Sequence, residues 1–527
     1  MKLVSLILVA GALAAPAAAS AQGSDFVGRH VQVRPVVVVR GLDLASLTVL
    51  ARHGAVGLLV PSAGPRTSAQ LAFAGIVRGV LHNGRLGPRP DGPVLIHVKT
   101  AQDLASLPSG AVVLGLPPDR SVPNDARYPI GVLGPCRGIL TSSLTRVPGL
   151  VSAADVARTA LAARHALGCR ADARAASTLR KLEQRIEVAR GTTMGSTVIV
   201  LSLLLVLALL LPAATLPALA SALAANLALG IVPAGSVAAR LTLLALCVVA
   251  GGVLGRRIAA RAPAFAGAAL LALLAAHAVA MAAKPAALSL APIGPELTSR
   301  FFGVSNALET LLLVPALAGT ALLARRFGAV AFVAGGLLTL VTIAENRLGA
   351  DGGGAVVVGV AFAVLAVGMT RSRARTVVPA LALAGVAVFA LVSLDVATSS
   401  PDHLRGALGG GVGGNATAIA NRVPLAYARV ADQWYLVFPL GALALLALTT
   451  RTAAVGRDRR ALVAAFAAAV ATSLLVNDSP GPVTLTALAA FFALEPGAAR
   501  RELSALAGRF VRTAPRPTAA TATIERQ

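Results

Sequence analysis

The chain has 527 residues, of which 56% are hydrophobic and only 13% charged, with a mean hydropathy of +0.78. This composition excludes a soluble enzyme and predicts a polytopic membrane protein. The net charge of +25 does not indicate nucleic-acid binding, because many arginines lie in short loops between apolar runs and act there as topology signals. We therefore predict membrane lipids as partners and no nucleic acid.

The first residues, 1–21, have the pattern of a cleavable signal peptide. Lys2 supplies a positive start, residues 3–15 an apolar stretch, and Ala19-Ser20-Ala21 a small-residue cleavage site. An uncleaved signal anchor is the alternative. In both cases residues 22–193 are predicted to be extracytoplasmic, because they contain no run long enough to span a bilayer.

The extracytoplasmic segment 22–193 predicts a small α/β domain. The β-branched run 36–39 is typical of a buried parallel strand, and a helix is expected over 44–53. Strands alternating with helices favour a parallel sheet. The remaining predicted elements are strands at 94–98, 111–114 and 130–133 and a helical region over 151–192.

The three cysteines divide between the two parts of the chain. Cys136 and Cys169 lie outside the membrane, in a compartment that permits disulfides, so pairing and separate burial are both open. Cys247 lies in an apolar run and is expected to be a small core residue.

Two stretches of the α/β domain resemble alkaline-phosphatase-like domains. Residues 36–79, VVVVRGLDLASLTVLARHGAVGLLVPSAGPRTSAQLAFAGIVRG, resemble the opening of such domains, in which a strand, an Asp-Gly pair and a helix precede a Thr/Ser-bearing segment. Residues 138–161, GILTSSLTRVPGLVSAADVARTAL, resemble their closing signature. The chain is similar in particular to a bacterial envelope group in which such a domain precedes a multi-span membrane region. That group has no established activity.

The resemblance implies two metal ions held by Asp and His ligands, and the sequence departs from that pattern. Arg40 occupies the position of the first Asp ligand, where its charge would repel a divalent cation. Thr67 or Ser68 lies at the position of the nucleophile. The histidines of the domain form no metal-binding motif: His30, His53, His82, His97 and His165. We therefore predict a degenerate, catalytically inactive relative that holds no metal or cofactor.

The region 194–496 predicts an all-α bundle of about eleven transmembrane helices. For the two predicted spans around Pro212 and Pro217, a single re-entrant hairpin is the alternative. With the N-terminal domain outside, five arginine-rich loops fall on the cytoplasmic side, as the positive-inside rule expects. The basic tail 497–527 is predicted to be disordered and cytoplasmic. The predicted spans are 195–212, 214–233, 238–255, 262–282, 303–324, 328–345, 353–370, 376–396, 434–450, 460–477 and 480–496.

On this topology, three polar blocks share the outer side of the membrane with a long loop, 399–433; the first block is 299–309, the second 345–354 and the third 477–481. Ionisable groups in or near hydrocarbon are costly and mark functional sites, so we predict an outward-facing polar pocket. Its candidate substrate-binding residues are Arg300, Asn306, Glu345, Asn346, Arg347, Asn477 and Asp478. Its candidate catalytic residues are Glu309, Asp351 and His403. The three blocks also resemble the membrane region of the envelope group.

These side chains suit an anionic, lipid-linked substrate. Arg300 and Arg347 would hold a phosphate group in bidentate fashion, and a carboxylate or His403 would exchange a proton. Asn306 and Glu309 are spaced i and i+3, so they share one helix face. A structural interpretation of each block is also open, since Gly-rich and Asn-Asp-Ser loops are ordinary turns and arginines extend to headgroups.

Three functions fit this multi-pass protein of the cell envelope. The first is a transferase-like enzyme acting on a phosphate- or glycan-bearing lipid. The second is a transporter of an envelope lipid or anionic solute, with Glu309 as the coupling carboxylate. The third is a non-catalytic scaffold. Ionisable residues are scarce in the inner half of the predicted spans, with Arg240 as the main candidate and an outer position for it also open, which disfavours a full translocation path.

Overall fold

The computed structural model of the protein describes most of the α/β domain and most of the membrane region. The predicted signal peptide, the predicted span 376–396 and the tail beyond residue 501 lie outside the described residues. The described residues are 34–39, 41–63, 66–78, 96–99, 107–160, 167–232, 235–295, 297, 301–345, 348–349, 352–369, 430, 437–450, 456–477, 479–498 and 500–501.

The α/β domain is built on one mixed sheet with the strand order β10-β8-β2-β7-β5-β1-β4, and β9 also pairs with β2. A separate two-stranded sheet joins β3 and β6. The strands are β1 Val36–Val39, β2 Gly54–Val60, β3 Arg66–Thr67, β4 Ile96–Lys99, β5 Val112–Leu114, β6 Val122–Pro123, β7 Tyr128–Leu133, β8 Gly138–Thr141, β9 Leu150–Ser152 and β10 Gly168–Ala171. The helices are α1 Leu47–His53, α2 Ala69–Arg78 and α3 Ala153–Ala160.

The expectation of a parallel sheet is wrong at two strands. β1 is parallel to β4 and β5, and β2 is parallel to β8 and β9, but β7 lies between the two groups and is antiparallel to both. The edge strand β10 is antiparallel to β8. A parallel return needs a crossover connection, usually a helix. The chain between β5 and β7 forms only β6, so it returns in the opposite direction.

The predicted helical region 151–192 is interrupted. Helix α3 ends at Ala160, and β10 lies between it and the next helix, which begins at Ala175. Cys169, on β10, is bonded to Cys136, which precedes β8. The structure thus resolves the open question of the two extracytoplasmic cysteines in favour of a disulfide. The bond secures the edge strand that interrupts the helical region.

One long helix, α4 Ala175–Leu210, joins the α/β domain to the membrane region. Its 36 residues extend over about 54 Å, which exceeds the roughly 30 Å of bilayer hydrocarbon. Leu179 and Ile186 pack in the core beneath the sheet, whereas Leu204 and Leu207 pack in the core of the bundle. A buried contact of 3.4 Å between Arg127 and Glu183 also fixes the first half of α4 to the domain.

The membrane region contains ten further helices among the described residues. Six helices are long and apolar enough to cross a membrane, namely α4, α5 with the turn before it, α6, α7, α9 and α13, so the protein is a membrane protein. The helices are α5 Thr215–Ile231, α6 Val237–Arg261, α7 Pro263–Ala283, α8 Ala286–Ser289, α9 Asn306–Phe327, α10 Ala329–Ala344, α11 Gly352–Met369, α12 Val437–Thr450, α13 Arg457–Val476 and α14 Pro480–Leu494.

The count of eleven spans is not confirmed. Ten of the eleven predicted segments coincide with a helix, and the remaining one lies outside the described residues. However, α10, α11, α12 and α14 are apolar but shorter than the six long helices. Around Pro212 and Pro217 the chain forms two helices, α4 and α5, joined by a short turn at Pro212–Ala214, so the choice between two spans and a re-entrant hairpin stays a prediction.

Helix α9 occupies the centre of the bundle. In its apolar 18-residue stretch 72% is buried, the highest share among the six candidate spans. The helix packs against α7, α10, α11, α13 and α14. Helix α6 is peripheral and buries one stripe of side chains, with Arg240, Leu244, Val248 and Gly252 spaced four residues apart. Cys247 lies off this stripe and is exposed, so the expectation that it is a core residue is wrong.

The arginine-rich loops meet at one end of the bundle. Arg325 pairs with Asp458 at 3.0 Å, and the Arg500 guanidinium donates to the carbonyl oxygen of Leu209. Buried Glu495 lies between Arg459 and Arg501. The described helices therefore alternate in direction as the charge pattern requires. Assignment of this end to the cytoplasm stays a prediction from the positive-inside rule.

We predict that Cys136→Ser lowers the free energy of unfolding by about 2–4 kcal/mol, because loss of the disulfide frees a loop in the unfolded chain. The two cysteines are separated by 33 residues. Thermal unfolding of the purified full-length protein in detergent measures the change, with Cys247→Ser as the matched control. Equal unfolding midpoints for the two variants would contradict the prediction.

Candidate functional site

The first turn of the central helix α9 carries a buried carboxylate. Ser305 caps this helix, and its side-chain oxygen accepts a hydrogen bond from the backbone N–H of Leu308 at 3.2 Å. Glu309 lies in the same turn, where the helix dipole favours a negative charge. Its exposed fraction is 0%, and that of Asn306 is 8%. The sequence prediction that these two residues share a face of the helix agrees with the burial of both.

Asn477, from a distant part of the chain, holds this carboxylate. The Asn477 side-chain nitrogen donates to Oε2 of Glu309 at 3.1 Å and to the hydroxyl oxygen of Ser473 at 2.8 Å. Asn477 follows the last residue of α13, and its backbone N–H still bonds to the carbonyl of Ser473. The end of α13 is therefore fixed against the beginning of α9, and the first and third polar blocks are in contact.

The second polar block contacts the first through the backbone. The Val304 N–H donates to the carbonyl oxygen of Gly349 at 2.9 Å. Gly303 has a φ of 81°, and a Cβ atom there would collide with the same carbonyl group. Only glycine permits this approach of the segment before α9 to the turn after α10. Half-buried Glu345 begins that turn, so all three blocks meet at one end of the bundle.

Four of the ten predicted site residues are described, namely Asn306, Glu309, Glu345 and Asn477. Direct side-chain contact is seen between Glu309 and Asn477. The remaining predicted site residues lie outside the described part of the chain: Arg300, Asn346, Arg347, Asp351, His403 and Asp478.

Sequence analysis missed a second buried polar group at the same end of the bundle. It consists of Arg240 on α6, which the sequence had singled out alone, with Arg185 on α4 and Asn226 on α5, and each side chain is hydrogen-bonded. Asn226 is the only amide side chain in α5, and this isolated polar residue in an apolar run is the signal that could have found it.

The α/β domain buries the hydroxyl groups that the phosphatase resemblance places at the nucleophile position. Thr67 and Ser68 are 1% and 7% exposed, and Oγ1 of Thr67 accepts a hydrogen bond from Ser62 at 2.8 Å. Arg40 is outside the described residues. Within the described part of the chain, no group of three or more His, Cys, Asp or Glu side chains is arranged to hold a metal ion.

Asp155 is the one fully buried carboxyl group of the described α/β domain ahead of α4. Its Oδ2 atom accepts hydrogen bonds from the Ser152 N–H and the Ser142 hydroxyl, both at 2.8 Å. Burial raises the pKa of the Asp155 carboxyl, and these hydrogen bonds oppose the rise. Because Asp155 lies in the first turn of α3 and bonds back to the residue before that helix, it acts as a capping residue.

Together these features define a multi-helix membrane protein in which an α/β domain is joined to a bundle with a polar, buried end. Comparison of the chain with known protein families, characterised proteins and solved structures finds no match. The relation to alkaline-phosphatase-like domains therefore stays a prediction, and functional argument starts from the site itself.

We predict that Asn477→Asp destabilises the protein at neutral pH, because two carboxylates would repel each other across the 3.1 Å contact. The instability should diminish as the pH falls from about 8 to about 5, since protonation of one carboxyl restores a hydrogen bond. Thermal unfolding across this pH range measures the effect.

The matched variant for this measurement is Asn477→Ala, which removes the donor without adding charge. It should cost about 1–3 kcal/mol, with a weaker pH dependence than that of Asn477→Asp. If Asn477→Asp is as stable as the wild type throughout the range, Asn477 does not hold Glu309 in solution.

Proposed function

We propose that this is an envelope membrane protein whose polar pocket, at the outer ends of its helices, handles a phosphate- or glycan-bearing lipid in a transferase-like reaction. The observation that carries the proposal is the carboxylate of Glu309, fully buried on the central helix and held by the amide of Asn477. A carboxylate is costly to bury in a membrane region and marks a functional site by default.

The geometry suits Glu309 as a general base. A base must be held in position beside the proton that it removes, and the bond from Asn477 limits the rotation of this carboxylate. In the proposed reaction, Glu309 takes the proton from an acceptor hydroxyl, whose oxygen attacks the lipid-linked group while the lipid phosphate leaves. Arg300 and Arg347, on the adjoining segments, are the proposed ligands of that phosphate.

The α/β domain has a proposed role as a brace for this pocket. Phe301 belongs to the hydrophobic core beneath the sheet, and the Arg146 guanidinium lies 4.0 Å from the ring centre of Phe302. The segment that leads into α9 is thus fixed by the domain on one side and by Gly349 on the other. A domain with no chemistry of its own would in this way position Glu309.

A transporter is the second candidate, and the burial of Glu309 within a candidate span favours it. Buried carboxylates in membrane helices serve as proton carriers in pumps and transporters. The two candidates differ in proton coupling. A transporter in proteoliposomes would move protons with its substrate, whereas an enzyme would change the lipid without any pH gradient.

We predict that a membrane-impermeant maleimide labels Gly352→Cys, Thr417→Cys and Ser479→Cys in intact cells and leaves Gly456→Cys unlabelled. The first three positions lie on the predicted outer side, and Gly456 precedes α13 at the arginine-rich end. Only Cys247 has to be replaced in the background, because Cys136 and Cys169 are bonded. If Gly456→Cys is labelled and Ser479→Cys is protected, the orientation in the membrane is opposite to the predicted one. The basis for an outer pocket is then lost.

We predict that Glu309→Gln abolishes the function while the protein stays folded, because glutamine keeps the shape and still bonds to Asn477 but accepts no proton. Loss of a general base lowers the rate by about 100-fold or more. Mass spectrometry of envelope lipids compares deletion cells complemented with the wild type or the variant, and Glu309→Gln should give the profile of the deletion.

The matched control is Glu495→Gln, which removes a buried carboxylate at the opposite end of the bundle. At equal expression it should give the wild-type lipid profile. If the deletion and the wild type have the same lipids, or if Glu309→Gln restores the wild-type profile, the proposed function is wrong.

A further inference from the structure

Three side chains with hydrogen-bond donors, two of them buried and one half-buried, meet where helices α4, α5 and α6 reach the segment 286–293. The Arg185 guanidinium donates to the carbonyl oxygen of Gly230 at 3.3 Å, and that of Arg240 donates to the carbonyl oxygen of Leu290 at 2.9 Å. The side-chain oxygen of Asn226 accepts from the N–H of Ile293 at 2.7 Å. Asn226 lies one helical turn before Gly230, so both are on one face of α5.

The end of α5 and the segment 286–293 are packed tightly together. A Cβ atom at Gly230 would collide with the carbonyl oxygen of Ala287. The carbonyl groups that receive the two arginines, at Gly230 and Leu290, therefore belong to backbones in direct contact. Arg240 is 0% exposed, and Arg185 is half-buried.

Among the described residues, four nitrogen atoms of these side chains have no hydrogen-bond partner. They are Nε and Nη2 of Arg240, Nε of Arg185 and the side-chain nitrogen of Asn226. The orientation of the Asn226 amide is set by the Ile293 N–H, which requires an oxygen opposite it. All four unsatisfied atoms are therefore donors, and only an acceptor would satisfy them.

The two arginines also have no counter-charge among the residues that the structure describes. In the described part of the chain, no carboxylate forms an ion pair with Arg185 or Arg240. Within the described ranges, the charge that acts on Arg240 is that of Arg185, and it is repulsive. A buried cation without a partner is strongly unfavourable, and a second cation nearby adds to the cost.

We propose that Arg185, Asn226 and Arg240 form a binding site for a phosphate group, supplied by a lipid headgroup or by free phosphate. Guanidinium groups match the oxygens of phosphate in bidentate geometry, and one phosphate would receive the donors that are left unsatisfied. Two positive charges and an amide also suit a group that carries up to two negative charges.

The position of this site gives it a role at the junction of the two parts of the protein. Ile186, next to Arg185, and Leu290 both belong to the hydrophobic core beneath the sheet. A phosphate bound between the arginines would cancel their repulsion and hold the α/β domain on the bundle. The site uses other helices than the Glu309 pocket and does not rest on the function proposed for that pocket.

The test uses the purified, delipidated full-length protein in a neutral detergent. Calorimetric titration with inorganic phosphate examines the free anion. Native mass spectrometry with phosphatidylglycerol examines the headgroup, with diacylglycerol as the matched lipid that lacks phosphate. Arg240→Gln and Arg185→Gln should each raise the Kd by at least about tenfold, because each removes a charged donor. Arg180→Gln, an exposed position on the same helix, should bind as the wild type does.

The site is supported if the wild type binds inorganic phosphate, or binds phosphatidylglycerol but not diacylglycerol, and if the variants show the expected loss of affinity. The ligand that binds also identifies the source of the phosphate. If Arg240→Gln does not fold, the affinity of Arg185→Gln decides the test, because Arg185 is only half-buried. The proposal is overturned if the wild type binds neither ligand, if Arg185→Gln binds as tightly as the wild type, or if Arg180→Gln loses as much affinity. Glu309→Gln should retain the binding, which separates failure of this site from failure of the pocket.

Discussion

The continuity of helix α4 through two hydrophobic cores is the constraint on which the rest of the structure depends. Its first half packs beneath the sheet and its second half packs in the bundle, so the α/β domain cannot turn independently of the membrane region. Because residues of the segment between α7 and α9 pack in the core beneath the sheet, the domain lies directly against the ends of the other helices. The segment between α7 and α9 fills that boundary and belongs in part to the core beneath the sheet.

This boundary segment connects two polar groups of opposite character. Ser289 donates a hydrogen bond to the carbonyl oxygen of Phe301 at 2.5 Å, which ties the part near Arg240 to the part near Glu309. On one side, donors have no acceptor among the described residues. On the other, a buried carboxylate is held by an amide. An anionic lipid needs both a cationic contact for its headgroup and a base for its chemistry, so the two groups suit neighbouring portions of one class of ligand.

Local sequence patterns predicted much of the architecture, and the errors of these predictions have physical causes. The run of valines at β1 and the helix that ends at His53 follow from residue type and periodicity, and the structure confirms both. The central strand β2 was not predicted, and β7 was predicted in the wrong direction. Strand direction depends on which neighbour the chain pairs with, and local sequence carries no record of that pairing. The same holds for β10, which the disulfide and β8 stabilise within a region of helical pattern.

The sequence by itself determined the class of protein, because hydrophobic composition and the spacing of basic loops follow from the cost of placing polar groups in hydrocarbon. It also indicated Glu309 and Asn477 as unusual polar residues of apolar segments. Only the tertiary structure brought them within hydrogen-bond distance, since 168 residues separate them and the packing of α9 against α13 sets that distance. It alone disclosed that donors of Arg185, Asn226 and Arg240 have no acceptor among the described residues. A residue's lack of a partner depends on every helix around it, and one-dimensional spacing cannot express that property.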